Sequence, residues 1–275
     1  MSHQHSLSSF IAIIGIGTMG RAIASGLVHT GVVAASQLTL ADRDVSVARE
    51  LASQLTGARV ASDVSSACES ADVVLLCVKP NDVAQVLAGL HTLPAHALVV
   101  SIAAGVTLST LEELTGGQRP VVRAMPNTPC LIAQGHTVLS AGRHATPEHL
   151  LVVEQIFRAL GTCQVLAEKH LDAVTALSAS GPAFVYVMIE ALAAGGLACG
   201  LPRDVSTFMA ARTALGAAAM VLDTGSHPAE LRDQVSSPGG CTIAGLLALE
   251  DGGFRSVVSR AVEVTTRTAA GLGSR

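Results

Sequence analysis

The chain has no tryptophan, one tyrosine and five phenylalanines in 275 residues, and only 14% of it is charged. It has two lysines, Lys79 and Lys169, no basic block, and a formal net charge of -4. A protein that tracks nucleic acid needs basic patches with stacking aromatics between them, so no nucleic-acid partner is expected. The six cysteines, Cys68, Cys77, Cys130, Cys163, Cys199 and Cys241, form no C-x-x-C pair, and none lies near a histidine pair at metal-ligand spacing. They read as reduced, buried thiols of a cytoplasmic protein, and no metal is expected. His3 and His5 fall in a short polar leader and read as disordered rather than ligating. No basic region followed by an apolar one opens the chain, so no signal peptide is expected. The longest apolar run, Ala183 to Cys199, contains Glu190 and falls short of the roughly 20 residues a membrane span needs. A helix apolar on every side is a buried helix, covered either within one subunit or between two.

What is present is alternation. Hydrophobic residues make up 49% of the chain. Short apolar runs at Phe10–Ile14, Gln37–Ala41, Arg59–Ala61, Asp72–Val78, Ala97–Ile102, Pro120–Ala124 and Thr137–Ser140 read as strands. Helical spacing covers Thr18–His29 and Val45–Leu55, and Pro80 suits the first turn of another helix. DVVLLCV is apolar on both faces, as a central parallel strand is. This β-α-β order predicts an α/β, Rossmann-like N-terminal domain with a doubly wound, parallel-type sheet. The pattern changes after about Gly161, and from His170 onward hardly a strand is expected. Helices are expected at Ala183–Cys199, Arg203–Leu222, Pro228–Val235, Ile243–Leu249 and Phe254–Ala270. The expected division is a dinucleotide-binding domain over 1–165 and an all-α dimerisation and substrate-binding domain over 166–275.

Gly15, Gly17 and Gly20 follow the first strand and open a helix. Glycine is needed first for a tight turn, then for close backbone approach to a pyrophosphate, and third for helix–strand packing. Asp42 lies 42 − 20 = 22 residues past Gly20, at the end of the second strand, near the expected ~20. Asp42 can hydrogen-bond a ribose 2′-hydroxyl, or it can merely cap the next helix. Arg43 beside it can pair with a 2′-phosphate instead. Lys79-Pro80 ends the DVVLLCV strand, where ligands of such sheets bind; the plainer reading of Lys79 is a solvated surface side chain.

Far along the chain, Ser236–Thr242 reads SSPGGCT and runs into the helical segment IAGLLALE. A Gly-Gly turn at a helix start offers free backbone N–H groups that can receive a small carboxylate.

Taken in order, GIGTMG, CVKP, SIAAG at Ser101–Gly105, RAMPNTP at Arg123–Pro129, ALSASGPAF at Ala176–Phe184 and VSSPGGCTIAGLLALE at Val235–Glu250 resemble the pyrroline-5-carboxylate reductase family. The resemblance spans Phe10 to Ala270. It implies an NAD(P)H-dependent oxidoreductase that transfers a hydride to the C=N carbon of 1-pyrroline-5-carboxylate, giving L-proline in proline biosynthesis. It implies NADP(H) as the favoured cofactor, with NAD(H) second, and a homodimer assembled into a homodecamer in the cytoplasm. It carries over substrate binding to Ser237, Gly240, Cys241 and Thr242, with Thr242 as the catalytic residue that orients the ring nitrogen or relays a proton. Thr242 otherwise reads as an ordinary first-turn residue. The cofactor residues are then Gly15, Gly17, Thr18, Met19, Gly20, Asp42, Arg43, Val78, Lys79, Pro80 and Asn127. Asn127 holds a loop near the nicotinamide or is a plain turn residue. Ser180 and Gly181 are expected to cap the apolar helix with Pro182 in its first turn. Glu168 and Gln234 fall at positions near substrate and cofactor. Two departures from the resemblance stand out: Cys241 where relatives often carry Thr or Ala, and Asp63 where they often carry Asn near the adenosine end. Asp63 and Asp42 together put negative charge where a 2′-phosphate would sit.

Two rival readings fail on these residues. A β-hydroxyacid dehydrogenase requires a catalytic Lys four residues before an Asn on the first helix of the second domain, but Lys169 is followed by His170, Leu171, Asp172 and Ala173. A non-catalytic dinucleotide-binding redox sensor has no use for SSPGGCT.

Overall fold

Eight strands form one sheet in the computed structural model, which describes residues 6–90 and 93–271; His3 and His5 lie outside the described residues. The strands are β1 (Ile11–Ile14), β2 (Leu38–Ala41), β3 (Arg59–Val60), β4 (Val73–Leu76), β5 (Leu98–Ser101), β6 (Val121–Met125), β7 (Gly135–Ala141) and β8 (Gly161–Val165), in the spatial order β3-β2-β1-β4-β5-β6-β7-β8. The helices between them are α1 (Thr18–His29), α2 (Val45–Gln54), α3 (Val64–Cys68), α4 (Val83–Ala88), α5 (Leu108–Leu114) and α6 (Pro147–Arg158). Successive strand residues point to opposite faces, and both faces are covered. Ile11 and Ile13 join one apolar cluster with Leu27, Leu51 and Phe157, while Ala12 and Ile14 join another with Val74, Leu76 and Leu111. This is why the strands are apolar throughout instead of alternating. The strand order reverses between β1 and β4, the point where doubly wound folds take their ligands.

Two features depart from a purely parallel sheet. β6 and β7 pair antiparallel, with Met125 opposite Val138. Only residues 126–134 separate them, and a parallel return needs a crossover of about a dozen residues or more. α6 then supplies a crossover, so β8 lies parallel to β7. β8 is a polar, mostly exposed edge strand, GTCQV, so it lacks the apolar run by which the other strands are read.

The chain forms two compact units: one runs to Ser180 and takes in the chain from Val264 onward, and the other is Gly181–Glu263. The first unit continues past β8 through α7 (Leu171–Val174) and a π-helical turn, Thr175–Ala179. The second unit holds α8 (Gly181–Ala198), α9 (Arg203–Thr224), α10 (Pro228–Gln234) and α11 (Cys241–Asp251); α12 (Phe254–Ala270) crosses the division at Val264. α8 is not capped at Ser180, contrary to expectation. Ser180 has helical dihedrals and its N–H donates to the Thr175 carbonyl five residues back. A proline in a helix loses one hydrogen bond and crowds the carbonyl four residues earlier; the wider π turn ahead of Pro182 absorbs both.

In the second unit α8 packs on α9, with Gly196 against Ser206. No residue of α8 is buried, and Tyr186, Phe208 and Leu222 are 61%, 68% and 82% exposed. Against the expectation of six buried thiols, only Cys68 and Cys130 are buried; Cys77 and Cys163 are half-buried, and Cys199 and Cys241, which sit in this unit, are exposed. By length and composition alone, Glu168–Ala198 and Arg203–Thr224 are long enough to cross a bilayer. The first of these exceeds the apolar run Ala183–Cys199 because the helical path also takes in α7 and the π turn. So large an apolar surface marks an interaction site.

Candidate active site

The nucleotide end is built on the turn after β1. Gly15 has φ +95°, and a Cβ there would lie 2.8 Å from the Cys77 carbonyl oxygen. A Cβ on Gly20 would fall on the Gly15 carbonyl, so helix and strand touch there. Gly17 differs: a Cβ added to it meets nothing within 4 Å. It is the N-cap of α1 and gives no side-chain capping bond. The first-turn N–H groups of Thr18, Met19 and Gly20 therefore have no acceptor in the helix, and the dipole of this 12-residue helix favours an anion there. The three glycines thus meet the three requirements of a pyrophosphate loop, so a dinucleotide fits.

Asp42 does not cap α2; Asp44 does, accepting from the Ser46 N–H at 3.0 Å. Asp42 instead clamps the glycine loop. Its Oδ2 accepts from the Ile16 N–H at 2.6 Å and its Oδ1 from the Asp44 N–H at 3.0 Å. Asp63 caps α3, accepting from the Ser66 N–H at 2.8 Å and the Ser62 hydroxyl at 2.9 Å. The Ser66 N–H, followed by the Ser62 hydroxyl, holds its carboxyl below the usual range. Both carboxylates thus hold backbone N–H groups of their own unit and keep further acceptor sites. Arg43 is exposed and makes no salt bridge among the described residues. Lys79 is exposed at the end of the β4 segment, with Pro80 opening a short 3-10 turn and Val78 half-buried.

Asn127 is more than a turn residue. Its Oδ1 accepts from the His136 N–H at 2.9 Å and its Nδ2 donates to the Ser178 hydroxyl at 3.3 Å. It therefore ties the β6–β7 loop to the π turn. Ser178 and Arg123 lie inside the ALSASGPAF and RAMPNTP motifs, but no spacing rule marks either. A cavity of about 350 Å³ lies elsewhere, between α1 and the Thr128–Ile132 turn, walled by Ala22, Gly26, Leu131 and Leu160. None of the expected site residues lines it.

Cys77 lies beneath Gly15 and burial pushes its thiol up to about 12, as it does that of Cys68. Only about one in 10⁴ of either thiol is thiolate near pH 8. Iodoacetamide at that pH is expected to spare both in native protein and label both in denaturant, read by peptide mass. Native labelling of Cys77 would mean that the loop above it opens.

In the second unit, Ser237-Pro238-Gly239-Gly240 is a closed turn. The Gly240 N–H donates to the Ser237 carbonyl at 3.0 Å, and Gly239 has φ +68°. Proline second and a positive-φ glycine third are the type II requirements. The Ser236 hydroxyl anchors the turn on the Arg232 carbonyl at 2.7 Å. Gly240 is the N-cap of α11 with no side-chain cap, and a Cβ on it would strike the Ser237 hydroxyl. The hydroxyl is thus held against a helix start whose first N–H groups, those of Cys241 and Thr242, are uncapped. Cys241 is exposed, Thr242 half-buried, and Gln234 ends α10 in the open.

The sequence of the chain is 45% identical to pyrroline-5-carboxylate reductase from Glycine max over 253 residues, 92% of each chain. The chain belongs to the pyrroline-5-carboxylate reductase family. The enzyme of that name from Methanosarcina acetivorans is 40% identical, with 96% of this chain and 98% of that one covered. Among solved structures of the family, the Plasmodium falciparum pyrroline carboxylate reductase with NADP bound superposes with a TM-score of 0.89 at 29% identity, covering 98% of this chain and all of the other. The Coxiella burnetii protein gives 0.88 at 32% identity, covering 96% and 98%. Residues 168–272 match the family model for pyrroline-5-carboxylate reductase dimerisation. Residues 10–105 match that of the coenzyme F420-dependent NADP oxidoreductases. The dimerisation match covers the apolar helices α8 and α9.

Proposed function

We propose that this chain reduces the C=N bond of 1-pyrroline-5-carboxylate to give L-proline, the last step of proline biosynthesis, with NADPH as the favoured reductant and NADH as the second. Within this family, the reading is carried by the uncapped start of α11 behind the Ser237–Gly240 turn. That start suits a single small carboxylate. The Ser237 hydroxyl and the N–H groups of Cys241 and Thr242 hold the carboxylate. Gly240 keeps the approach clear, and cysteine at 241 is tolerated because the backbone donates. The Thr242 hydroxyl addresses the ring nitrogen. A threonine hydroxyl is too weak an acid to be a free proton source, so it orients the ring and relays a proton from water.

Gly15, Gly17, Thr18, Met19 and Gly20 hold the pyrophosphate, Asp42 shapes their loop, and Arg43 meets the 2′-phosphate. Val78, Lys79, Pro80 and Asn127 serve the nicotinamide side. The bound cofactor supplies the hydride; the chain supplies position and electrostatics. Residues 1–165 act as the dinucleotide-binding domain and 166–275 as the dimerisation and substrate-binding domain. The apolar helices face a second copy rather than lipid, the dimers assemble into a decamer, and the enzyme works in the cytoplasm.

The test is steady-state NADPH and NADH oxidation by wild type and Arg43→Ala. Oxidation is expected only when pyrroline-5-carboxylate is added. Arg43→Ala is expected to raise KM for NADPH about 10- to 100-fold, the worth of a charge-assisted contact, and to leave NADH within about twofold. Cofactor binding without substrate-dependent turnover would sink the assignment.

A further inference from the structure

Glu168 links the start of α5 to strand β6. Its Oε1 accepts from the Leu108 N–H at 2.6 Å, at the start of α5, and from Arg123 Nη1 at 3.1 Å, on β6. The Arg123 side chain is only 3% exposed. Its Nη2 stands 3.7 Å from Asp172 Oδ1, within ion-pair range but beyond a hydrogen bond, and neither Nη2 nor Nε has a hydrogen-bond partner. Among the described residues, Glu168 is thus the one carboxylate hydrogen-bonded to a buried guanidinium. A buried charge is retained only when paired. Just past Glu168, Leu171 packs with Met125 and Val138 in a small apolar cluster, which seats this segment on β6 and β7 where those two residues pair.

The location gives the contact its meaning. A dinucleotide crosses such a sheet at the switch between β1 and β4. Its adenosine half lies over β1 and β2, where the glycine loop and Arg43 are, and its nicotinamide half over the β4–β5–β6 side. Glu168 grips the turn that follows β5 and the strand that leads to Asn127, both on the nicotinamide side. We propose that Glu168 is a positioning residue for the nicotinamide half of the cofactor site, acting through Leu108 and Arg123. The proposal rests on the reading that this chain binds a dinucleotide across the sheet.

Calorimetric titration of the full chain with NADPH and with adenosine 2′,5′-bisphosphate, which carries only the adenosine end, separates the two halves. Glu168→Ala is expected to raise the Kd for NADPH about tenfold and to leave that for the bisphosphate within about twofold. Glu168→Gln, which keeps an acceptor oxygen without the charge, is expected to fall between alanine and wild type. A parallel loss for both ligands indicates general loosening and overturns the proposal, as does unchanged NADPH binding. Should the alanine variant not fold, the glutamine variant decides: NADPH weakened with the bisphosphate unmoved supports the positioning role, and any other pattern overturns it. Wild type that binds neither ligand removes the cofactor reading itself, which is a separate result.

Discussion

Gly17→Ala is expected to fold as well as wild type and to bind NADPH about 10- to 100-fold more weakly. The backbone at Gly17 is extended, with φ −73° and ψ −165°, a conformation any residue adopts. A Cβ there meets no protein atom within 4 Å, so the folded state gains no clash. The empty space is where a pyrophosphate must come close to the backbone, and a methyl group in a filled contact costs about 1–3 kcal/mol. Gly20→Ala provides the control. Its Cβ would collide with the Gly15 carbonyl in a buried position, so melting temperature should fall along with binding. Thermal melts and calorimetry on the two variants distinguish a glycine kept for ligand from one kept for packing. Normal NADPH affinity in Gly17→Ala would falsify the loop assignment.

Thr242→Ala is expected to lower turnover about 10- to 100-fold, with the dissociation constant for NADPH nearly unchanged. Thr242 is the second residue of α11, where alanine is a good helix former, so the helix start survives. What disappears is one hydroxyl, worth about 1.5–3 kcal/mol if it bonds a charged ring nitrogen. The proposed cofactor contacts are all on the turns after β1, β2, β4 and β6, and none involves α11. Thr242→Ser, which restores the hydroxyl, is expected to recover most of the rate. Equal loss of cofactor affinity and turnover, or no recovery with serine, would assign Thr242 a structural role instead.

Helix α1 and helix α12 run over Thr18–His29 and Phe254–Ala270, the spans their sequence spacing predicts. Both are long, and punctuation by glycine marks their starts. β8 carried no such signal, because an exposed edge strand needs few apolar residues. The turn from β6 into an antiparallel β7 follows from the short connection of 126–134, a length that has meaning only once both strands are placed. The family motifs were legible as text, yet half of their side-chain chemistry was not. Asp42 had two sequence readings, ribose ligand and helix cap; the fold gives the cap to Asp44 and adds a contact that neither reading contains, the Ile16 N–H. Asn127, Ser178, Arg123 and Glu168 are up to 51 residues apart within their hydrogen-bonded pairs, and no local pattern links them.

By itself, then, the sequence determined the α/β-then-helical order, the glycine loop, the Ser237–Thr242 turn and the family, because each depends on local propensity or a contiguous motif. Tertiary structure alone decided which polar groups are spent on the protein's own backbone and which stay free for ligands. Hydrogen-bond partners are chosen by proximity in space: the carboxylate that can read a ribose also holds an N–H that folding brings within 2.6 Å of it.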